Sequence, residues 1–263
     1  MKVLVNYANE PYRRSQQQNS KSGLKIGEFD KAWSYGPADI DSEFAVRNRH
    51  ILSQPRGGGY WLWKPYFVHH ALQRLSNGDY LFYCDSGSFF LGPVQFLIDL
   101  SIRTGEDLLC FDLPFIEKVW TKRDALVLLD CDQPRYFDSL QRTAAFSLWK
   151  KTESTVSVSE EWLDLAQDER LITDLPCQLD LANREGFREH RHDQSIFSLI
   201  TKRRGIPAFR NPGQIGNQFV DDYPNSDYPQ LIEHTRAKVV PLKQKLSREM
   251  LRLARQSRRL LSR

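Results

Sequence analysis

Apolar and polar positions follow two alternating periods along residues 1–210. Apolar runs of strand length cover residues 1–7, 31–35, 80–84, 107–112, 144–149 and 206–209. Helical spacing or helix-permissive composition covers residues 9–21, 39–52, 63–75, 95–104, 160–167 and 193–204, whereas residues 125–129 fit either element. Alternating strands and helices favour a mostly parallel sheet covered by helices, so the pattern predicts an α/β fold.

Size and composition favour one large domain. With 263 residues, 40% of them hydrophobic, the chain can bury one sizeable core. We expect one domain over residues 1–235 and an appendage over residues 236–263. No run of 18 apolar residues and no apolar signal segment occurs, which predicts a cytoplasmic protein. The four cysteines form no CxxC pair, which predicts reduced, buried thiols rather than a zinc site.

Positive charge is concentrated in residues 236–263. This segment carries ten Lys and Arg against the single acid Glu249, a net charge of +9, whereas the whole chain carries +4 and the remainder therefore −5. Leucines and Met250 recur there at helical spacing, which predicts a basic amphipathic helix. Such a helix suits either the anionic inner face of a membrane or docking on the body or a partner. Nucleic acid is disfavoured, because the segment has no aromatic residue to stack on bases.

A strand that ends on an acid is the first candidate site. The apolar run Tyr80–Cys84 leads directly into Asp85, Ser86 and Gly87. Open α/β sheets bind ligands beyond the carboxyl ends of their strands, and a carboxylate there can hold Mg²⁺ or Mn²⁺ on a diphosphate. Taken alone, an acid in this position is more often part of a turn or a helix cap.

A dense polar cluster, HRHDQ over residues 190–194, precedes the predicted helix 193–204. Two imidazoles, a guanidinium, a carboxylate and an amide are costly to bury unless they are paired or used. A helix N-terminus also offers free backbone N–H groups to a phosphate or a developing anion. The alternative is that Asp193 caps the helix and the histidines are solvated.

A glycine-rich aromatic segment, RGGGYWLWKPY over residues 56–66, is the third candidate. Glycines permit close approach of the backbone to a ligand, and aromatic rings provide flat walls for a base or sugar. Lys64 takes the second position of a predicted helix, where its ammonium could meet a phosphate, and Pro65 takes the third, where proline is tolerated. The alternative is that the aromatic residues belong to the core.

Four segments in order resemble the motifs of a known family. GGGYWLWKPY, YCDSG, WTKRD over residues 120–124 and HRHDQSIFSLI over residues 190–200 are similar to those of microbial and viral glycosyltransferases with the GT-A fold, a family that includes the rhamnosyltransferase domain of a chlorovirus. The match covers about residues 1–210. It implies transfer of a sugar from a nucleotide-diphosphate sugar to a glycan or lipid-linked acceptor, in surface polysaccharide assembly.

The resemblance also implies residue roles. Asp85 would hold Mn²⁺ or Mg²⁺ on the diphosphate, although Gly87 stands where many GT-A enzymes have a second Asp. Asp193 would face the sugar and acceptor, and it is our candidate general base if the reaction inverts the anomeric centre. The other sugar-nucleotide contacts are predicted at Asn6, Tyr7, Lys64, Ser86, Gly87, His192 and Gln194.

Two other classes of function fit parts of the sequence. A metal-dependent phosphoesterase could use Asp85 with the acids and histidines of residues 190–193. A noncatalytic adaptor could act through the basic segment 236–263 alone. The donor sugar depends on loops such as residues 120–124 and 141–145, which we expect to shape the pocket.

Overall fold

A six-stranded sheet forms the centre of the molecule. The structure is a computed structural model that describes residues 1–235, so the basic segment 236–263 lies outside the described residues. The described residues contain eight strands, β1 (Lys2–Tyr7), β2 (Lys31–Tyr35), β3 (Tyr80–Cys84), β4 (Ser88–Phe90), β5 (Leu108–Ile116), β6 (Leu140–Lys150), β7 (Ala208–Phe209) and β8 (Ile232–His234).

The central sheet has the strand order β2-β1-β3-β6-β5-β7. β1 pairs in parallel with β2 and β3, and β5 pairs in parallel with β7. β6 runs antiparallel to both of its neighbours, β3 and β5. The predicted mostly parallel sheet is therefore confirmed, and β6 is the reversed strand within it.

Helices of very different lengths connect the strands. The long ones are α1 (Arg13–Lys25), α5 (Trp63–Arg74), α6 (Gln95–Thr104), α10 (Glu153–Ala166) and α12 (Asp193–Arg203). The short ones are α2 (Ser42–Arg47), α3 (Arg49–Leu52), α4 (Gly57–Tyr60), α7 (Glu117–Trp120), α8 (Arg123–Leu128), α9 (Pro134–Phe137) and α11 (Glu169–Ile172). Single 3-10 turns occur at Glu10–Tyr12, Pro37–Asp39 and Gln214–Gln218.

Most predicted helices are present, with shifted boundaries. α5 begins at Trp63, so Lys64 and Pro65 take the second and third helical positions, as predicted. α10 begins earlier than the predicted segment 160–167, because the hydroxyl of Thr152 caps it. The segment that fitted either element forms most of the short helix α8.

Both faces of the central sheet are covered. Along β1, Val3 and Val5 point into one apolar layer and Leu4 into the other. α5, α10 and α12 contribute to the first layer, and α6 contributes to the second. Burial on both faces explains why the strand sequences are almost continuously apolar. Among residues 1–235, no helix combines the length and apolar character needed to cross a bilayer.

A second, two-stranded sheet lies beside the end of β3. Its strands β4 and β8 are antiparallel, with Ser88 opposite His234. The next residue, Thr235, donates from its backbone N–H and its hydroxyl to the Gly87 carbonyl oxygen, each at 3.0 Å. The last described residues therefore lie against the Asp85-Ser86-Gly87 motif.

Candidate active site

A cleft of about 520 Å³ opens where the central strands end. The carboxyl ends of β1 and β3 and the start of α12 meet there, as expected for a ligand site on an open α/β sheet. The side chains around it include Tyr7, Arg56, Trp61, Trp63, Lys64, Asp85, Phe115, Thr143, Arg191, Asp193, Gln194, Asn211, Gln214 and His234. The three predicted motifs thus contribute to one cavity.

Lys64 connects two carboxylates at this cleft. Its Nζ lies 3.0 Å from Asp193 Oδ2 and 3.3 Å from Asp85 Oδ1. The side chains of Lys64 and Asp193 are each only 4% exposed, whereas that of Asp85 is 29% exposed. The cluster therefore joins the start of α5, the end of β3 and the start of α12. Lys64, Asp85 and Asp193 are the charged core of the candidate site, and we call them the carboxylate–lysine cluster.

The environment shifts the ionisation of this cluster. Burial lowers the pKa of Lys64, but the carboxylates of Asp193 and Asp85 outweigh it and raise that pKa above its ordinary value. Burial raises the pKa of Asp193 to about 6, although Lys64 opposes the shift. Tyr83 donates its hydroxyl to Asp85 Oδ1 at 2.8 Å, and burial together with Asp85 raises the pKa of Tyr83 well above its usual range. Asp193 is thus harder to ionise than an ordinary aspartate, although it lies beside the Lys64 ammonium.

Asp193 is not the cap of α12, which corrects the alternative drawn from the sequence. The helix begins at Asp193 itself, and the preceding residue, His192, makes no side-chain capping hydrogen bond. Asp193 instead faces Lys64, whose Nζ lies 3.0 Å from Asp193 Oδ2. His192 has a φ of 54° and a ψ of −121°, a strained conformation for a residue with a side chain. The chain is therefore bent immediately before the carboxylate.

Both histidines of residues 190–193 are bound by the protein. The Lys122 N–H donates to His190 Nδ1 at 3.3 Å, so His190 Nε2–H donates to the Leu171 carbonyl at 2.6 Å. Burial and the neighbouring His192 lower the pKa of His190 well below its ordinary value. The alternative of solvated histidines is wrong for this ring, because the side chain is buried and both of its nitrogens have partners.

His192 has the opposite tautomer. Arg56 Nε donates to His192 Nε2 at 3.1 Å, so Nδ1–H donates to the Ile172 carbonyl at 2.8 Å. Burial lowers the pKa of His192 to about 4. Its ring stacks on Trp61, with centroids 5.2 Å apart. Both ring nitrogens therefore already have partners within the protein. A role of His192 in sugar-nucleotide binding stays a prediction.

The glycine-rich segment forms one wall of the cleft. Gly57 and Gly59 have φ values of +60° and +96°, and a Cβ at either position would overlap Trp61 or Leu52. The Trp63 Nε1–H donates to the Gly57 carbonyl at 2.9 Å. Glycine is therefore required by the packing of this loop, which holds the aromatic side chains at the cleft.

Aromatic rings of this wall are both core and lining. Tyr7 stacks on Trp63 with centroids 3.9 Å apart and an interplanar angle of 17°. Both residues line the cleft although each is at least nine-tenths buried. Burial raises the pKa of Tyr7 to about 12, so its hydroxyl stays protonated. Trp63 therefore belongs both to the core and to the cleft wall, which are the two interpretations of the aromatic segment.

The other predicted contacts differ in their access to the cleft. Ser86 and Gly87 line it, and Ser86 Oγ donates to the Tyr7 carbonyl at 2.5 Å. Gln194 also lines it, while donating to Gln141 Oε1 at 2.8 Å. Asn6 is fully buried, and its amide donates to Asn19 Oδ1 at 2.7 Å. Asn6 is thus not brought to the cleft wall; it fastens α1 to β1.

The WTKRD segment supports the site from outside. Lys122 Nζ donates to the Thr173 carbonyl at 3.0 Å, and Asp124 Oδ2 accepts from the Gln178 N–H at 2.6 Å. The Arg191 guanidinium lies 4.3 Å from the Trp120 ring centroid. Residues 120–124 hold the loop that precedes α12 and do not line the cleft, contrary to our expectation that this segment shapes the pocket. Residues 143 and 145 of the other predicted loop do line it.

Several cleft residues were not singled out from the sequence. They come from the end of β5, from the segment before β8 and from β8 itself, at Phe115, Asn211, Gln214 and His234. His234 Nδ1 lies 2.7 Å from Ser88 Oγ, beside the acidic motif. These residues occur singly along the chain, so no local pattern indicates them.

The donor set for a divalent cation is small. Asp85 and Asp193 are the acids among the cleft-lining residues that the structure describes. Nowhere in residues 1–235 do three His, Cys, Asp or Glu side chains converge as metal ligands do. Mg²⁺ is often held by one or two carboxylates together with substrate phosphates, and a partly exposed Asp85 suits that mode of binding. Mn²⁺ or Mg²⁺ at Asp85 stays a prediction.

Comparison with known proteins shows the fold. No family model and no curated protein matches the chain. The solved structure of the bifunctional glycosyltransferase WbbM matches 89% of this chain with a TM-score of 0.50 and 10% sequence identity. The match covers 45% of the WbbM chain, so this chain spans about half of that protein. The predicted fold of GT-A-type glycosyltransferases is thus confirmed.

Further matching structures are also glycosyltransferases. Mouse xyloside xylosyltransferase 1 matches with a TM-score of 0.47 and 11% identity over 91% of this chain and 99% of its own. A glycosyltransferase involved in glycosylation of the major capsid of PBCV-1 matches with a TM-score of 0.45 and 12% identity, over 90% of this chain and 94% of its own.

Proposed function

We propose that the protein is a glycosyltransferase that moves a sugar from a nucleotide-diphosphate sugar to a glycan or lipid-linked acceptor, in surface polysaccharide assembly. The observation that carries the proposal is the carboxylate–lysine cluster at the cleft, where Lys64 lies 3.0 Å from Asp193 and 3.3 Å from Asp85. Perturbed ionisable groups in a cleft are typical of catalytic sites. The shared fold supports this class of enzyme.

The two sides of the cleft suit the two substrates. Stacked Tyr7 and Trp63 provide a flat surface next to the Asp85-Ser86-Gly87 motif, which suits the nucleoside and diphosphate of the donor. Asp193 and Arg191 lie at the start of α12, where an acceptor hydroxyl and the sugar would meet. The proposed donor side is thus made by β1, β3 and α5, and the acceptor side by β5, β6 and α12.

Asp193 is the proposed general base for an inverting reaction. With its pKa raised to about 6, it is mostly ionised at neutral pH and can still accept a proton. It would take the proton of the acceptor hydroxyl while that oxygen bonds to the anomeric carbon and the bond from that carbon to the diphosphate oxygen breaks. In a retaining reaction, Asp193 would instead position the substrate.

Asp85 is the residue that would hold a divalent cation. A bound Mn²⁺ or Mg²⁺ would neutralise charge on the departing diphosphate. The phosphoesterase alternative has less support, because His190 and His192 use both of their ring nitrogens within the protein.

A panel of sugar nucleotides tests the proposal. The full chain is incubated with each one, with Mn²⁺ and in a separate arm with a chelator, and free nucleoside diphosphate is measured. We expect slow release from one donor or a few, and a rise in melting temperature with the corresponding nucleoside diphosphate. Cleavage of simple phosphate esters without any effect of sugar nucleotides would contradict the proposal.

The basic segment 236–263 is proposed to keep the cleft at an anionic membrane surface. Its first residue follows Thr235, which is bonded to the Gly87 carbonyl, so the segment is attached beside the donor-side motif. An apolar stripe with basic charge binds anionic lipid better than either feature alone. At low salt, the full chain should sediment with phosphatidylserine vesicles and a chain ending at Thr235 should not. Equal sedimentation of the two would contradict this role.

A further inference from the structure

Lys64 was expected to contact a phosphate, but its ammonium faces two carboxylates. It lies 3.0 Å from Asp193 Oδ2 and 3.3 Å from Asp85 Oδ1. Its side chain is 4% exposed, and Trp63 and Tyr83 flank it, with ring centroids 5.9 and 5.4 Å from Nζ. An ammonium has three N–H donors, so two carboxylates occupy most of its capacity.

The alternatives for a buried ammonium in this place are limited. A phosphate-binding lysine needs donors directed at solvent or ligand, whereas Lys64, although it borders the cleft, is only 4% exposed and its ammonium contacts two carboxylates. Burial of an unpaired charge is very costly, so Asp193 could not stay ionised at 4% exposure without this cation. Asp85 and Asp193 would also repel each other if Lys64 were absent.

We propose that Lys64 is a positioning residue that fixes the Asp193 carboxylate relative to Asp85, and thereby the acceptor side of the site relative to the donor side. The inference rests on the proposed glycosyltransferase function. Lys64 is attached near the start of α5, and that helix is packed into the core through Phe67 and Val68. A rigid helix thus carries the cation that sets the place of both acids.

The second observation is the bend at His192. Its strained backbone, with φ of 54°, directs Asp193 towards the cleft from the first turn of α12. Strain of this kind persists only where surrounding contacts determine the conformation. The Arg56 and Ile172 hydrogen bonds hold the His192 ring, and Lys64 holds the carboxylate that follows it.

Replacement of Lys64 separates a positioning role from phosphate binding. In Lys64→Ala we expect turnover of the donor to fall by roughly 100-fold, because a displacement of about 1 Å can have that effect. The dissociation constant for the nucleoside diphosphate, measured by calorimetry, should change less than about tenfold. Propylammonium, which replaces the missing part of the side chain, should restore part of the turnover.

Lys202→Ala is the matched control. The side chain of Lys202 is also largely shielded, at 8% exposed, and its ammonium lies 2.6 Å from the buried Glu117 carboxylate, but it lies outside the cleft lining. We expect this variant to lose stability while the folded fraction keeps its turnover, with no response to propylammonium. If Lys64→Ala fails to fold, Lys64→Gln retains a polar end and is compared in the same assays.

Each outcome is decisive. A loss of nucleotide affinity equal to the loss of turnover would overturn the positioning role and make Lys64 a phosphate ligand. Unchanged turnover in folded Lys64→Ala or Lys64→Gln would overturn it as well. A wild-type chain that neither binds nor turns over any sugar nucleotide would instead refute the proposed function on which the inference rests.

Discussion

Two lysines with largely shielded side chains contact carboxylates at opposite ends of α12, and the two carboxylates differ in how many hydrogen bonds they accept. Near the end of the helix, Lys202 lies 2.6 Å from Glu117, which also accepts from the hydroxyls of Thr121 and Ser198 and from the amide of Gln141. At the start of the helix, Asp193 Oδ2 lies 3.0 Å from Lys64 Nζ, and no hydroxyl or side-chain amide of residues 1–235 donates to this carboxylate.

This difference distinguishes a structural ion pair from a carboxylate that is suited to react. A carboxylate with four donors has no capacity left for a ligand, and its pair fastens α12 to α7. A carboxylate that is buried, ionically paired and still able to accept a proton is suited to react with a substrate in the cleft. The carboxylate–lysine cluster therefore carries the proposed activity, and the pair of Lys202 with Glu117 serves as its structural counterpart.

The largest effect should come from Asp193→Asn. The amide cannot take a proton, so we expect transfer to fall by about 10²- to 10⁴-fold, the range typical of a general base. Binding of the nucleoside diphosphate should persist, because Asp85 and the aromatic wall of Tyr7 and Trp63 are unchanged. The two quantities are measured by a product assay and by calorimetry.

Glu117→Gln is the corresponding control at the other end of the helix. Its carboxylate lies in the saturated network, so the folded variant should keep its rate of transfer even if it melts earlier. Undiminished turnover by folded Asp193→Asn would remove Asp193 from the catalytic role.

A large effect on stability is expected from Lys202→Ala. Removal of one partner from a buried ion pair typically costs about 3–5 kcal/mol, because the other charge stays buried. Urea unfolding at pH 7.5, with wild type in parallel, gives the change in the free energy of unfolding. A change below about 1 kcal/mol would show that the remaining donors to Glu117 suffice. The contrast between the two ends of α12 would then rest only on the position of Asp193 at the cleft.

The sequence predicted the ends of elements better than the contacts between them. Asp85 was identified because a buried strand leads into it, which is a local pattern. Its partner Lys64 and the more distant Asp193 were each singled out, but their ionic contact joins α5 to α12 and leaves no local trace. A helix cap was the alternative role for Asp193, because sequence patterns at helix starts describe only how side chains bind backbone N–H groups. In the structure, the buried Lys64 cation determines where this carboxylate points.

The hydrophobic pattern also does not predict the direction of a strand or which residues support the site without lining it. The apolar spacing of residues 144–149 predicts a strand but contains no information on direction, so the reversal of β6 was not foreseen. That reversed strand brings Thr143 to the cleft. The WTKRD segment was recognised as a motif, yet its side chains hold the loop before α12. A motif therefore does not distinguish lining residues from the scaffold that positions them.

The smallest expected effect concerns the pH dependence of stability. Burial lowers the pKa of His190 well below its ordinary value, and lowers that of His192 to about 4. Both rings are neutral in the folded state near pH 6, whereas the unfolded chain takes up protons at the ordinary value of 6.5. The contribution of each neutral histidine to the free energy of unfolding is therefore fully present above pH 6.5. It decreases as the pH falls below that value, by about 1.4 kcal/mol per pH unit for each such histidine.

Other groups modify this slope, so a difference between variants is the useful quantity. His69 and His70 also have lowered pKa values because of burial and act in the same direction. Asp193 acts in the opposite direction, because its raised pKa of about 6 favours the folded state when it is protonated. In His190→Gln, the slope of the unfolding free energy against pH between pH 6 and 5 should be smaller by about 1.4 kcal/mol per pH unit, which corresponds to one proton. The slope is measured by urea unfolding. An unchanged slope would mean that His190 is protonated in the folded state, and its hydrogen bond from the Lys122 N–H would then be lost.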